Sequence, residues 1–143
     1  MTRKTSGEVN ELLKKWEGTY KKGLLSFWLL LLLHDQTGYA YELGAVVDEI
    51  SQGTVKADEK SIYRALTRFQ SMGLVSSELQ QSKIGPSRRY YSLTEKGTAL
   101  LVEFIRRNIL VFEAPSVAER IRGVLERKAS PGLSEVDYAV SQA

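Results

Sequence analysis

Between Asp58 and Gly97 the apolar residues change period twice, and this restricts the fold more than any other feature of the chain. The segment ADEKSIYRALTRFQSMG, residues 57–73, places Ile62, Leu66 and Phe69 on one 3.6-residue stripe, with Ala65 and Met72 beside it. Asp58 is a good N-cap for this helix and Gly73 a good stop. The next two segments, Val75 to Gln81 and Arg88 to Leu93, read as short strands joined by SKIGPS. In the second, Tyr91 and Leu93 share one face while Arg88, Tyr90 and Ser92 share the other. A ribbon of two strands is marginal by itself, so it must pack on helices. The helical period returns at Thr94, the cap of a longer helix with Leu100, Leu101, Phe104, Asn108 and Val111 along one side. The fold class is therefore mainly α with a small β-hairpin (α+β).

The N-terminal third supplies the other helices. Ser6 begins a short amphipathic helix whose Val9, Leu12, Leu13 and Trp16 fall at i, i+3, i+4 and i+7. Gly18 and Gly23 bracket TYKK and predict a break. The run LLSFWLLLLL, Leu24 to Leu33, is apolar at nine of ten positions. A membrane-spanning helix takes roughly 20 such residues. The run also starts too late for a signal peptide, so it reads as a helix buried on nearly all sides. After HDQTG, the residues Tyr39, Leu43, Val46, Val47 and Ile50 keep the helical period until SQG closes the segment at Gly53. Beyond the hairpin, EAPS interrupts the long helix. Ser116 and Glu119 then match a capping box ahead of Val117, Ile121, Val124 and Leu125.

Helix–helix–helix–strand–turn–strand–helix is a winged helix-turn-helix order. One helix fits the major groove, and a hairpin tip beside it reaches an adjacent phosphate or the minor groove. Charge supports this. Residues 1–57 hold seven Lys/Arg against seven Asp/Glu, and residues 97–143 hold six against six. Residues 58–96 hold seven against four, so the whole excess of +3 lies in the middle third. A local basic excess favours a polyanionic partner. On the third helix Lys60, Tyr63, Arg64, Thr67 and Ser71 face away from the stripe, with Ser61 and Arg68 on a flank. Arginine donates two hydrogen bonds to guanine, and tyrosine and threonine reach phosphates or bases. Lys60, Ser61, Tyr63, Arg64, Thr67 and Arg68 are therefore candidate DNA contacts on this helix. Lys83, Ser87, Arg88 and Arg89 cluster around Gly85-Pro86 as the corresponding contacts on the wing. Tyr91 belongs to the core. Tyr90 either covers the outer edge of the ribbon or touches a sugar-phosphate backbone.

Other chemistry is poorly supplied. The chain of 143 residues has no cysteine, which removes disulfides, thiolate metal sites and cysteine nucleophiles. Its one histidine, His34, ends a helix, where a cation is favourable, and we assign it no metal. Asp48 and Glu49 point to different faces and make a poor acid/base pair. No phosphate-binding glycine loop or nucleophile elbow is present. We expect no enzyme, no cofactor and a cytoplasmic protein. Trp16 and Trp28 line a ligand pocket on one reading and belong to core or subunit interface on the other, which their helical spacing favours. The residues thus leave three functions open: a DNA-binding regulator, a winged-helix scaffold for an acidic protein partner, and a sensor of phenolic or multidrug ligands. The expected organisation is a helical extension over 1–22, a winged-helix domain over 23–93, C-terminal helices over 94–129 and a loose tail over 130–143.

GYAYEL, SIYRALTRFQSMGLV and GPSRRYYSLTEKG, in that order, resemble the PadR family of transcriptional regulators, over roughly Gly23 to Leu101. The resemblance implies a winged-helix domain bound to double-stranded DNA, a homodimer, and repression at operators with two-fold symmetry. It carries DNA-contact roles onto Tyr39, Ser61, Tyr63 and Arg64 and onto the wing residues Lys83, Ser87, Arg88 and Arg89. The helix from Thr94, with Leu100, Leu101, Phe104, Asn108 and Val111, becomes the dimerisation element, together with Val9, Leu12, Leu13 and Trp16. Two features depart from the family pattern. The C-terminal part is intermediate between a short form with one terminal helix and a longer helical form, and the N-terminal helix is not universal. The whole chain is also similar to a clock-associated member of the family, although no residue encodes a circadian role.

Overall fold

The structure, a computed structural model, describes residues 7–127. Five α-helices and one hairpin follow in the order α1 (Gly7–Asp35), α2 (Ala40–Ile50), α3 (Glu59–Ser71), β1 (Val75–Gln80), β2 (Arg88–Leu93), α4 (Glu95–Phe104) and α5 (Pro115–Glu126). The chain divides into two units, Met1–Leu101 and Val102–Ala143. The first is a winged helix.

Its core collects Leu29, Leu30, Leu32 and Leu33 from α1, Leu43 and Val47 from α2, and Ile62, Ala65, Leu66 and Phe69 from α3. Val75 and Tyr91 add the inner face of the hairpin. Burying such side chains contributes about 1.5–3 kcal/mol each, enough to hold short helices that would not persist alone. Asp58 caps α3 as expected, its Oδ1 accepting the Ser61 N–H at 2.7 Å. Gly73 ends that helix at φ +76°. The turn between α2 and α3 is fixed by Ser51, whose buried hydroxyl accepts the Val55 N–H at 3.0 Å.

The hairpin is antiparallel, with Val75 opposite Leu93, Ser77 opposite Tyr91 and Gln80 opposite Arg88. Gly38, ahead of α2, adds a bridge to its other edge: Tyr91 N–H donates to the Gly38 carbonyl at 2.8 Å, and Gly38 N–H to the Tyr91 carbonyl at 3.2 Å. This gives the marginal ribbon the third partner it needs. The start of α4 is tied to the junction between α3 and β1. The single hydroxyl hydrogen of Thr94 is shared between the carbonyls of Gly73 and Leu74 (2.7 and 2.9 Å), and its Oγ1 accepts the Gly97 N–H at 3.1 Å. At Gly97 a Cβ would collide with the Leu74 carbonyl and come within 2.6 Å of Leu93 Cδ1, so only glycine permits this approach.

Four expectations are corrected. No break occurs at Gly18–Gly23, because α1 runs unbroken for 29 residues. Glycine weakens a helix by about 1 kcal/mol, but extending one already anchored by buried leucines is inexpensive, and Glu17 pairs with Lys21 at 2.5 Å across the interval. The apolar run is not buried on nearly all sides: Leu24 to Trp28 and Leu31 are only half-buried. The helix after Thr94 does not continue to Val111. It ends at Phe104, passes through a π turn over Ile105–Ile109 and tightens into a 3₁₀ turn over Leu110–Glu113. Asn108 Nδ2 donates to the Phe104 carbonyl at 3.2 Å, a side-chain bond of the kind that competes with the helical ladder. Finally, no Ser116–Glu119 capping box forms. Pro115 occupies the first turn of α5, where its missing N–H costs nothing, and Ala114 becomes the cap, without a side-chain bond. The helix start expected at Ser6 and the loose tail from 130 lie outside the described residues.

Candidate nucleic-acid interface

Glu59 and Tyr63 of α3 share one cleft with Ser87, Arg88 and Arg89 of the wing, whereas Lys60, Arg64, Thr67, Arg68 and Lys83 are not among its lining residues. Burial of Ile62, Ala65, Leu66 and Phe69 leaves Lys60, Tyr63, Arg64, Thr67 and Arg68 exposed, with Tyr63 54% exposed despite its large ring. Tyr39, the N-cap residue of α2, lies across from them. A cleft of about 470 Å³ is lined by Tyr39, Tyr63, Ser87, Arg88 and Arg89, together with Pro86, Tyr91 and Glu59. Five of the eleven candidate contacts thus come together around one open space. Glu59 is the carboxylate on its wall.

The two wing arginines are held differently. Arg88 lies over the Tyr39 ring, its Cζ 4.6 Å from the ring centroid, and its Nη1 donates to Tyr39 Oη at 3.2 Å. Tyr90 meets the same ring edge-on at 5.3 Å. Arg89 Nη1 donates instead to Ser77 Oγ at 3.0 Å, and Ser77 donates to Gln70 Oε1 at 2.8 Å. Lys83 stands at the hairpin tip, in a turn where Ser82 Oγ accepts the Ile84 N–H and donates to the Ile84 carbonyl (3.2 and 2.6 Å). Among the remaining candidates, Ser61 sits beyond the N-cap in a second cleft with Lys21, Lys22 and Lys56.

Two titrations bear on the site. The Ser61 N–H bond holds the Asp58 carboxyl below its ordinary value, helped by the positive charges of Arg64 and Lys60. Burial pushes the Tyr91 phenol above its usual 10, so at neutral pH it stays a neutral wall of the cleft.

Sequence reasoning missed three participants. Tyr90 was without an assignment, and Ser77 and Gln70 were unremarked. Gln70 was accessible to it, lying one turn beyond Thr67 on the same face of α3. Ser77 requires the strand register, which a short segment does not reveal.

The candidate dimerisation residues separate. Val9, Leu12, Leu13 and Trp16 remain exposed, Trp16 at 75%, as do Leu100 and Val111, whereas Leu101 is buried in its own chain. Trp16 is therefore no core residue. Phe104 is half-buried and Asn108 is exposed.

A family model described as the transcriptional regulator PadR-like family matches residues 29–103. The chain belongs to that family. Its members are transcriptional regulators rather than enzymes. Among the described residues no group of three or more His, Cys, Asp or Glu could hold a metal, and no helix is long and apolar enough to cross a membrane.

Solved PadR structures agree with the fold. A PadR-like transcriptional regulator from Bacillus cereus is 31% identical, with 73% of this chain and 93% of that one covered and a TM-score of 0.55. A PadR family regulator from Eggerthella lenta is 20% identical over 85% of this chain and 98% of that one, with a TM-score of 0.63. Bacillus subtilis PadR, solved in complex with operator DNA, is 20% identical, with 59% of this chain and 48% of that one covered and a TM-score of 0.56. A comparison with curated proteins finds no match.

Proposed function

We propose that this PadR-like chain is a homodimeric repressor that binds duplex DNA in the cytoplasm. Each subunit lays α3 in a major groove, with Lys60, Ser61, Tyr63, Arg64, Thr67 and Arg68 toward base edges and phosphates. The wing, residues 82–89, rests on the neighbouring backbone or minor groove through Lys83, Ser87, Arg88 and Arg89. The observation that carries this is the cleft in which Tyr39, Tyr63 and Arg88 converge between helix and wing. A guanidinium stacked on a ring and bonded to its hydroxyl is pre-oriented, so less side-chain freedom is lost when a phosphate docks. That Bacillus subtilis PadR was solved in complex with operator DNA supports duplex DNA as the partner.

Exposed apolar surface supports a homodimer. Val9, Leu12, Leu13, Trp16 and Tyr20 form an uncovered stripe on α1, and Ile121, Val124 and Leu125 form another on α5. Contiguous patches of this kind mark interaction surfaces.

The test is retention of sheared genomic DNA on the immobilised protein, followed by sequencing. Recovery of a few fragments sharing a two-fold symmetric site supports the proposal. Recovery of none at low salt refutes it and favours a scaffold for an acidic protein. The resemblance to a clock-associated member makes rhythmically expressed promoters the first to inspect among recovered fragments.

A further inference from the structure

Arg88 and Arg89 are neighbours in sequence, but the alternation of β2 sends them to opposite faces of the ribbon. Only Arg88 reaches Tyr39. Arg89 begins a chain of two hydrogen bonds that crosses three elements, from β2 to Ser77 on β1 and from Ser77 to Gln70 in the last turn of α3. The direction of this chain is set by chemistry. A guanidinium only donates, a hydroxyl accepts and donates once, and an amide oxygen only accepts. Each group occupies the one role open to it.

We propose that Gln70, Ser77 and Arg89 form a polar strut that sets the angle of the wing against α3. On this basis Gln70 and Ser77 are positioning residues, and Arg89 anchors the strut while remaining, with Lys83 and Arg88, one of the cations of the wing. Ser77 and Gln70 lie outside every contact set derived from the sequence. The strut is solvent-exposed, so it adds little to global stability. Its effect is geometric, because α3 and the wing must engage adjacent grooves together. The role in DNA affinity rests on the proposed function, whereas the strut itself can be observed without DNA.

The test uses the full chain and the variants Gln70→Ala, Ser77→Ala, Arg89→Lys and Arg88→Ala. In the free protein, Gln70→Ala and Ser77→Ala should speed hydrogen exchange at amides of 76–80 and 88–90 by about five-fold, with α2 unchanged. On the best-retained genomic fragment, Gln70→Ala and Arg89→Lys should each weaken binding about five-fold, and the double variant no further. Both should keep the native salt slope, whereas Arg88→Ala should reduce it by about 0.9. Unchanged exchange would overturn the strut. Additive losses, or an Arg89→Lys protein that binds like the native one, would overturn its role in DNA binding. Should the native chain retain no DNA, the proposed function fails, and the exchange measurement still decides the strut.

Discussion

The Arg88 guanidinium lies on the Tyr39 ring and donates to its hydroxyl at 3.2 Å, although the two residues are 49 positions apart. One belongs to the wing and the other is the N-cap residue of α2, so the contact joins two parts of the surface proposed to face DNA. Replacing Tyr39 with phenylalanine keeps the ring under Arg88 and removes only the hydrogen bond. Replacing it with alanine removes both. We expect Tyr39→Phe to weaken DNA binding about two-fold and Tyr39→Ala about ten-fold, measured by fluorescence anisotropy on a recovered fragment.

Gly97 tests whether close packing outweighs helix propensity. Alanine is worth about 1 kcal/mol more than glycine inside a helix. The added methyl would strike the Leu74 carbonyl, which is backbone and cannot swing away. Gly97→Ala should therefore destabilise the protein by about 1–3 kcal/mol in a urea titration.

Asp58 gives a pH dependence with a definite sign. Its folded value is lowered by the Ser61 N–H bond, so its contribution to stability is complete above the unfolded value, 3.8, and is lost as pH falls through the folded value. Circular dichroism melts of the native chain should show part of the acid destabilisation below about pH 4 arising here. Asp58→Asn keeps a cap that does not titrate and should flatten that part of the profile, while Asp58→Ala should lower Tm at neutral pH.

The exposed stripe on α1 predicts the oligomeric state. Trp16→Glu places a charge at its most exposed aromatic position. Sedimentation should show a native dimer and a Trp16→Glu protein shifted toward monomer, with DNA affinity reduced because two half-sites no longer bind as one unit. A Trp16→Glu dimer as tight as the native one would remove this surface from the interface.

Much of the fold was legible in the residues because it is local. The stripe Ile62, Leu66 and Phe69, the Asp58 cap, the Gly73 stop and the alternation before Leu93 each need only near neighbours, and each is observed. What escaped depends on competition or on distance. The glycines at 18 and 23 suggest a break, yet a helix already anchored at Leu29–Leu33 propagates through them. Ser116 is a good cap, but Pro115 moves the helix start ahead of it. Within the site, Tyr63 and the wing arginines are legible as candidates by type and place, and they line one cleft. The partners of Arg88 and Arg89 are not legible, since Tyr39 pairing with Arg88 and Ser77 bonding to Arg89 appear only once register and packing are known.

The central claim is that α3 reads bases while the wing holds the backbone. Its most direct test is equilibrium binding of the native chain, Arg64→Ala and Arg88→Ala to one recovered fragment and to a shuffled copy, over a series of salt concentrations. Arg88→Ala should weaken both DNAs alike and reduce the salt slope by about 0.9. Arg64→Ala should lose about 1–3 kcal/mol on the recovered fragment and much less on the shuffled one, narrowing the gap between them. Native affinity for both DNAs in both variants would contradict the docking arrangement outright.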